Sequence, residues 1–131
     1  MNMAGSVLVD TSVVVAYFRG DKALQPRFAG LRPVYLPWVV LGELHFGAQR
    51  AQRRQEQLAH IHDLLTYAVV LFADQETTEV YGQVKAELAQ LGKPIPDNDI
   101  WIAATARQLD LPLVTRDAHF SAVPRLTTLA W

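Results

Sequence analysis

The chain has no cysteine among its 131 residues, which excludes a disulfide framework and a thiolate metal site and fits a reducing cytoplasm. No apolar run approaches membrane-spanning length, and the N-terminal MNMAGSV lacks the basic region and long apolar core of a signal peptide. The expectation is a cytoplasmic protein with no membrane attachment. Charge is scarce too: 19% of residues are charged and the formal net charge is −1, which argues against a domain-wide basic surface that grips nucleic acid non-specifically. Any nucleic-acid contact must be local. Repeats, linkers and low-complexity segments are also missing. What is present is 50% hydrophobic, the balance of a soluble globular chain, and residues 1–131 suffice for a single domain with a real core.

The apolar pattern alternates between short β-rich runs and helical spacings. SVLVD reads as a strand ending in Asp10, followed by a helix through TSVVVAYFRG that stops near Gly20. A short helix over 23–29, a break at Arg32-Pro33, the strand VYLP and the helix WVVLGELHFGAQR come next. Residues 54–66 space Leu58, Ile61, Leu64 and Leu65 at helical intervals, and AVVLF reads as a buried-type strand. A helix over 75–91 places Val80, Val84, Leu88 and Leu91 on one side and closes at Gly92. A helix from about Asp97, the strand LPLVT, the turn RDAHF and a weak strand near TTLAW complete the chain. Strands separated by helices predict βαβ units and a three-layer α/β/α sandwich with a mostly parallel central sheet.

In such sheets ligands bind beyond the carboxyl ends of the strands. Asp10 ends the first strand, Asp117 lies just past LPLVT, and Asp99 sits at the N-terminus of the helix that runs into LPLVT. All three belong at one edge, because a helix and its following strand run antiparallel. Glu43 is the fourth acid: Val39, Val40 and Phe46 share its helix face, and a carboxylate on an apolar stripe is costly unless paired or metal-bound. Each acid also has an ordinary alternative. Asp10, Thr11 or Ser12 can cap the first helix, Asp117 can cap a turn, Asp99 can complement the helix dipole, and Glu43 escapes the core if its helix is rotated. The coincidence of four acids near one edge, none with a lysine adjacent in sequence, favours a shared site.

Asp97 lies two residues from Asp99, and such residues point about 200° apart on a helix. Asp97 or Asn98 is therefore suited to N-cap the helix, with Asp97 as a cap or a supporting group and Asp99 as the functional acid. Ala103, one turn on, keeps that face small enough to approach the sheet. Clustered carboxylates without histidine or cysteine ligands select a hard divalent ion, Mg²⁺ or Mn²⁺, as one ion or two. Without the cation the like charges push at least one carboxyl pKa upward. With it, the site attracts phosphate and can hydrolyse a nucleic-acid backbone.

The order LVDTS, GELHFGA, NDIWIAATA and LVTRDAHF resembles the PIN-domain ribonucleases, specifically the VapC-type toxins of toxin–antitoxin pairs, from Val7 to about Phe120. By resemblance, Asp10, Glu43, Asp99 and Asp117 take the places of the family's acidic catalytic and metal-binding residues, with Thr11, Ser12 and Thr115 as polar neighbours. The resemblance implies Mg²⁺- or Mn²⁺-dependent endonucleolytic cleavage of RNA, a homodimer, and inhibition by a VapB-type antitoxin. The alternative is a PIN-fold protein that binds RNA or an antitoxin without catalysis. A phosphoacceptor receiver would need a late lysine, and none follows Lys93. A haloacid-dehalogenase phosphatase would need an aspartate where Ser12 stands.

Other residues carry two readings each. Arg50, Arg53 and Arg54 form a basic patch or a solvated helix connection, and Arg116 contacts substrate phosphate or serves as an ion-pair partner. His60 and His62, two apart, read as surface residues, and His119 as structural rather than as a general base. Trp38 and Trp101 stack on bases or, by preference, pack in the core or a dimer interface.

Overall fold

The computed structural model describes residues 3, 5–31 and 33–131. Met1, Asn2 and Ala4 of the N-terminal stretch, and Arg32 of the Arg32-Pro33 break, lie outside the described residues. The apolar run before Asp10 forms β1 (Leu8–Val9), and α1 (Thr11–Phe18) follows, ended by Gly20, whose φ of 86° is natural only for a residue without a Cβ. Pro26 lies in the first turn of α2 (Gln25–Ala29), where its missing N–H costs nothing. Then come β2 (Val34–Pro37), α3 (Trp38–Arg50), α4 (Arg54–Leu65) and β3 (Ala68–Leu71). A capping box starts α5 (Gln75–Gln90): the Asp74 carboxylate accepts from the Thr77 N–H while the Thr77 hydroxyl accepts from the Asp74 N–H, each at 3.0 Å. The chain closes with α6 (Asp97–Leu109), β4 (Leu113–Val114), a 3₁₀ helix (Ala118–Ala122) and β5 (Thr128–Leu129).

All pairings in the five-stranded sheet are parallel, in the order β3-β2-β1-β4-β5. From β1 the chain steps outward through β2 to β3, then returns to lay β4 on the other side of β1. With right-handed crossovers, the two directions of travel put helices on opposite faces of the sheet. The result is the expected three-layer sandwich. The reversal of direction falls between β1 and β4, and the crevice at their carboxyl ends is where such a sheet leaves room for a ligand. These inner strands are also the most deeply buried: Leu8, Val9, Leu113 and Val114 are fully enclosed. At roughly 1.5–3 kcal/mol per buried aliphatic side chain, they anchor the edge on which the site is built.

Three expectations are corrected. AVVLF is not a buried strand: β3 has β2 as its one neighbour, Val69 is at the surface and Phe72 is 76% exposed. A continuous apolar run cannot reveal that its strand ends at the sheet's edge. Leu91 does not join the buried side of α5, because it falls on the cap residue and turns outward. On α3 Val39 and Val40 are buried as inferred, but the core face continues through Leu44 and Ala48 rather than Phe46, which is 62% exposed, so the helix is turned partly away from the stripe inferred for Glu43. Glu43 is half-buried at the margin of that face. Among the described residues, no helix is long and apolar enough to cross a membrane.

Candidate active site

Asp10 leaves the end of β1 in the N-cap position of α1, yet its side chain makes no capping bond. Its Oδ2 instead accepts from the Thr115 hydroxyl at 2.7 Å and the Ser12 hydroxyl at 2.9 Å. Thr115 follows β4, so this bond ties the two inner strands together just past their ends. The Thr115 hydroxyl also accepts from the Asp117 N–H at 3.0 Å, and the Ser12 hydroxyl accepts from the Arg116 N–H at 3.1 Å. The loop carrying Asp117 is thereby fastened to the acid on β1. Across the crevice, Thr11 donates to Glu43 at 2.7 Å and joins α1 to α3.

Asp99 is buried in the first turn of α6, and fully enclosed Ala103 lies one turn behind it. Its Oδ2 lies 3.0 Å from His119 Nδ1. Burial raises its pKa above the ordinary carboxylate value, the His119 contact opposes the rise, and the charges of Asp117, Asp10 and Glu43 add to it. The other three acids thus each act on Asp99, while only Asp117 and His119 bring a ligand atom within 4.8 Å of it among the described residues. Asp117 caps the 3₁₀ helix by accepting from the His119 N–H at 2.9 Å, and its Oδ1 is 3.2 Å from His119 Nδ1. Its turn-capping role and its place beside Asp99 coexist. Among the described residues no lysine or arginine forms an ion pair with any of these four acids.

Two side chains grouped with the site, those of Asp97 and Arg116, are engaged away from the four acids. Pro96, not Asp97 or Asn98, occupies the N-cap of α6. Its pyrrolidine holds φ at −56° with an extended ψ, and so sets the start of the helix without a capping side chain. Asp97 is exposed and turned toward α5, where it accepts from Lys85 at 3.0 Å and from the Tyr81 hydroxyl at 3.1 Å. Arg116 donates to Asp21 at 2.7 Å and to the backbone oxygen of Trp131 at 2.9 Å, which makes it an ion-pair partner. His119, read as structural, reaches two of the acids. The clue was its position two residues after Asp117 in a turn, where both side chains can converge.

The remaining candidates are structural in their contacts. Trp101 stacks on Tyr81 with ring centroids 3.9 Å apart and meets Trp38 edge-on at 6.1 Å. His60 stacks on Phe18 and is half-buried rather than on the surface, whereas His62 is exposed. Arg53 pairs with Glu56, Arg54 donates to the Gln49 carbonyl, and Arg50 lies over the Phe46 ring. A groove of about 860 Å³ opens beside Thr11 and Glu43, lined also by Val15, Phe18, Trp38 and Phe46.

Oxygen donors dominate the cluster. One ligand atom each from Asp99, Asp117 and His119 lies within 4.8 Å of the others, the one group of three potential metal ligands among the described residues. Uncompensated carboxylates, one of them with a raised proton affinity, fit a hard divalent cation.

Sequence and structure comparisons agree with this geometry. The PIN domain family model matches residues 7–126. Ribonuclease VapC2 of Haemophilus influenzae is 35% identical over 94 residues, 71% of each chain. The tRNA(fMet)-specific endonuclease VapC of Shigella flexneri is 36% identical over 94 residues, again 71% of each chain. The DNA-bound VapBC structure from Salmonella typhimurium superposes with a TM-score of 0.90 at 25% identity, covering 96% of this chain and 98% of that one. The chain belongs to the PIN domain family and, within it, to the VapC group.

Proposed function

We propose that this protein is a metal-dependent endoribonuclease and the toxin of a type II toxin–antitoxin pair. The observation that carries the reading is buried Asp99 near the topological switch point, its proton affinity raised by Asp10, Glu43 and Asp117, with none of the four paired to a lysine or arginine among the described residues. Asp10, Glu43, Asp99 and Asp117 hold one or two Mg²⁺ or Mn²⁺ ions. The bound ion supplies an activated water and stabilises the leaving oxygen of the phosphodiester. Thr115 and Ser12 fix the rotamer of Asp10, and Thr11 fixes that of Glu43, so the acids meet substrate already oriented. Arg116 and Asp97 have no part in this chemistry, since each is engaged elsewhere.

The substrate and partner readings draw on the relatives. Those in Haemophilus influenzae are ribonucleases and the Shigella flexneri protein acts on a tRNA, which supports RNA as substrate and the cytoplasm as the place of action. The Salmonella typhimurium structure is a VapBC complex, which supports a VapB-type antitoxin as partner. The groove with its exposed Phe46 is an apolar surface that such a partner would cover. A homodimer completes the proposal.

The test is cleavage of a mixed cellular RNA pool by the purified chain, freed of any partner, with Mg²⁺, Mn²⁺ or EDTA. Discrete fragments that require metal and vanish in Asp99→Asn are the expected result. RNA or antitoxin binding with no cleavage in either metal would replace the proposal by a non-catalytic binding protein.

A further inference from the structure

We propose that His119 is itself a ligand of the divalent ion, and that its imidazole makes the site select Mn²⁺ over Mg²⁺. The inference rests on the metal-dependent reading above and adds to it a residue outside the carboxylate set. Its ring nitrogen Nδ1 stands 3.0 Å from Asp99 Oδ2 and 3.2 Å from Asp117 Oδ1. Two neighbouring ligands at about 2.1 Å from an octahedral ion are about 3.0 Å apart. The nitrogen therefore already stands at adjacent-corner spacing from each oxygen, and one ligand atom from each of the three residues lies within 4.8 Å of the others.

The local fold presents the imidazole rather than leaving it to chance. Asp117 caps the 3₁₀ helix through the His119 N–H, so one residue's carboxylate fixes the backbone of the other. Phe120, next in the chain and fully enclosed, anchors this turn in the core, while the His119 ring stays about half exposed at the mouth of the site. The ring can thus adjust to an ion without disturbing packed side chains. Magnesium is a hard ion that prefers oxygen and keeps its waters, whereas a first-row transition ion gains from a nitrogen donor. One imidazole among carboxylates therefore discriminates between ions that four carboxylates alone would hold with similar preference.

Calorimetric titration of the full chain with Mn²⁺ and with Mg²⁺, for wild type, His119→Ala and Asp99→Asn, tests this. The expected result is Mn²⁺ binding weakened about tenfold or more in His119→Ala, with Mg²⁺ binding nearly unchanged and both ions weakened in Asp99→Asn. Pulsed electron paramagnetic resonance of the Mn²⁺-loaded wild type gives a second readout: coupling to an imidazole nitrogen, lost in His119→Ala. Equal or tighter Mn²⁺ binding in His119→Ala, or no nitrogen coupling in wild type, overturns the inference and makes His119 a hydrogen-bond partner of the acids. If wild type binds neither ion, the metal-dependent reading falls with it. If wild type binds both and only Asp99→Asn loses them, that reading stands and His119 alone is excluded.

Discussion

Helix α6 carries a charge cluster built on one buried residue at each end, Asp99 and Arg107, and the two are resolved in opposite ways. At its C-terminal end Arg107, with only 8% of its side chain exposed, pairs with Glu87 of α5 at 3.1 Å and donates to the Pro124 carbonyl. Arg125 adds a second cation to the same carboxylate at 3.1 Å. Burial by itself would raise the Glu87 pKa, but hydrogen bonds from Arg125 and Arg107, with their charges, hold it below the ordinary value. At the N-terminal end burial raises Asp99, three further carboxylates raise it more, and only His119 opposes. One cluster is complete as folded and ties the segment after the 3₁₀ helix to α5 and α6. The other has no lysine or arginine partner among the described residues, and the proposed cation would supply the missing positive charge. Compensation, rather than burial or charge count, separates the structural cluster from the chemical one.

Substitutions at the two ends should therefore fail in different ways. Asp99→Asn should cut RNA cleavage about a thousandfold while leaving the fold intact; retained cleavage would remove Asp99 from the site. Arg107→Ala should cost about 1–3 kcal/mol in urea unfolding, because it removes a buried side chain together with its hydrogen bonds to half-buried Glu87 and to the Pro124 carbonyl. A loss near zero would show that Arg125 suffices and that the pair is no anchor. Thr115→Val, which frees both Asp10 and the Asp117 N–H, should slow cleavage about 10- to 100-fold with little effect on global stability.

The sharpest test of the contrast is pH. Folding raises the proton affinity of Asp99, so its contribution favours the fold below the ordinary carboxylate range and is lost as pH rises through the raised value. Metal-free Asp99→Asn should accordingly melt a few degrees above wild type at neutral pH, with the gap closing on acidification. Added Mn²⁺ should reverse the order by stabilising wild type alone. Glu87 has the opposite sign: its contribution is present above the carboxylate range and is lost as pH falls. The smallest effect belongs to Asp97→Asn, whose exposed contacts to Lys85 and Tyr81 predict no measurable change in cleavage. A clear loss there would move the boundary of the site outward.

Much of the frame was legible in local pattern. Strands VYLP and LPLVT, the helix WVVLGELHFGAQR and the stop at Gly92 follow from apolar period and turn residues, which act over a few neighbours. The separation of Asp97 from Asp99 was equally local, since helix geometry alone turns them apart. Pro96 defeated the expected cap because proline can start a helix by its fixed φ alone. The rotation of α3 was not legible, because Glu43 borders two apolar faces and only its neighbours decide which one is buried.

By itself the sequence determined the alternation of strands and helices, and hence a parallel sheet whose carboxyl edge collects Asp10, Asp99 and Asp117, because chain direction and side-chain period are properties of short segments. Tertiary structure alone decided what each charge meets. Arg116 is drawn to Asp21, 95 residues away, Thr115 bonds Asp10 across 105 residues, and His119 closes on Asp99 across the mouth of the site. Such partners are set by strand order and packing, and a side chain's electrostatic state depends on everything within a few ångströms in space, not on its neighbours in the chain.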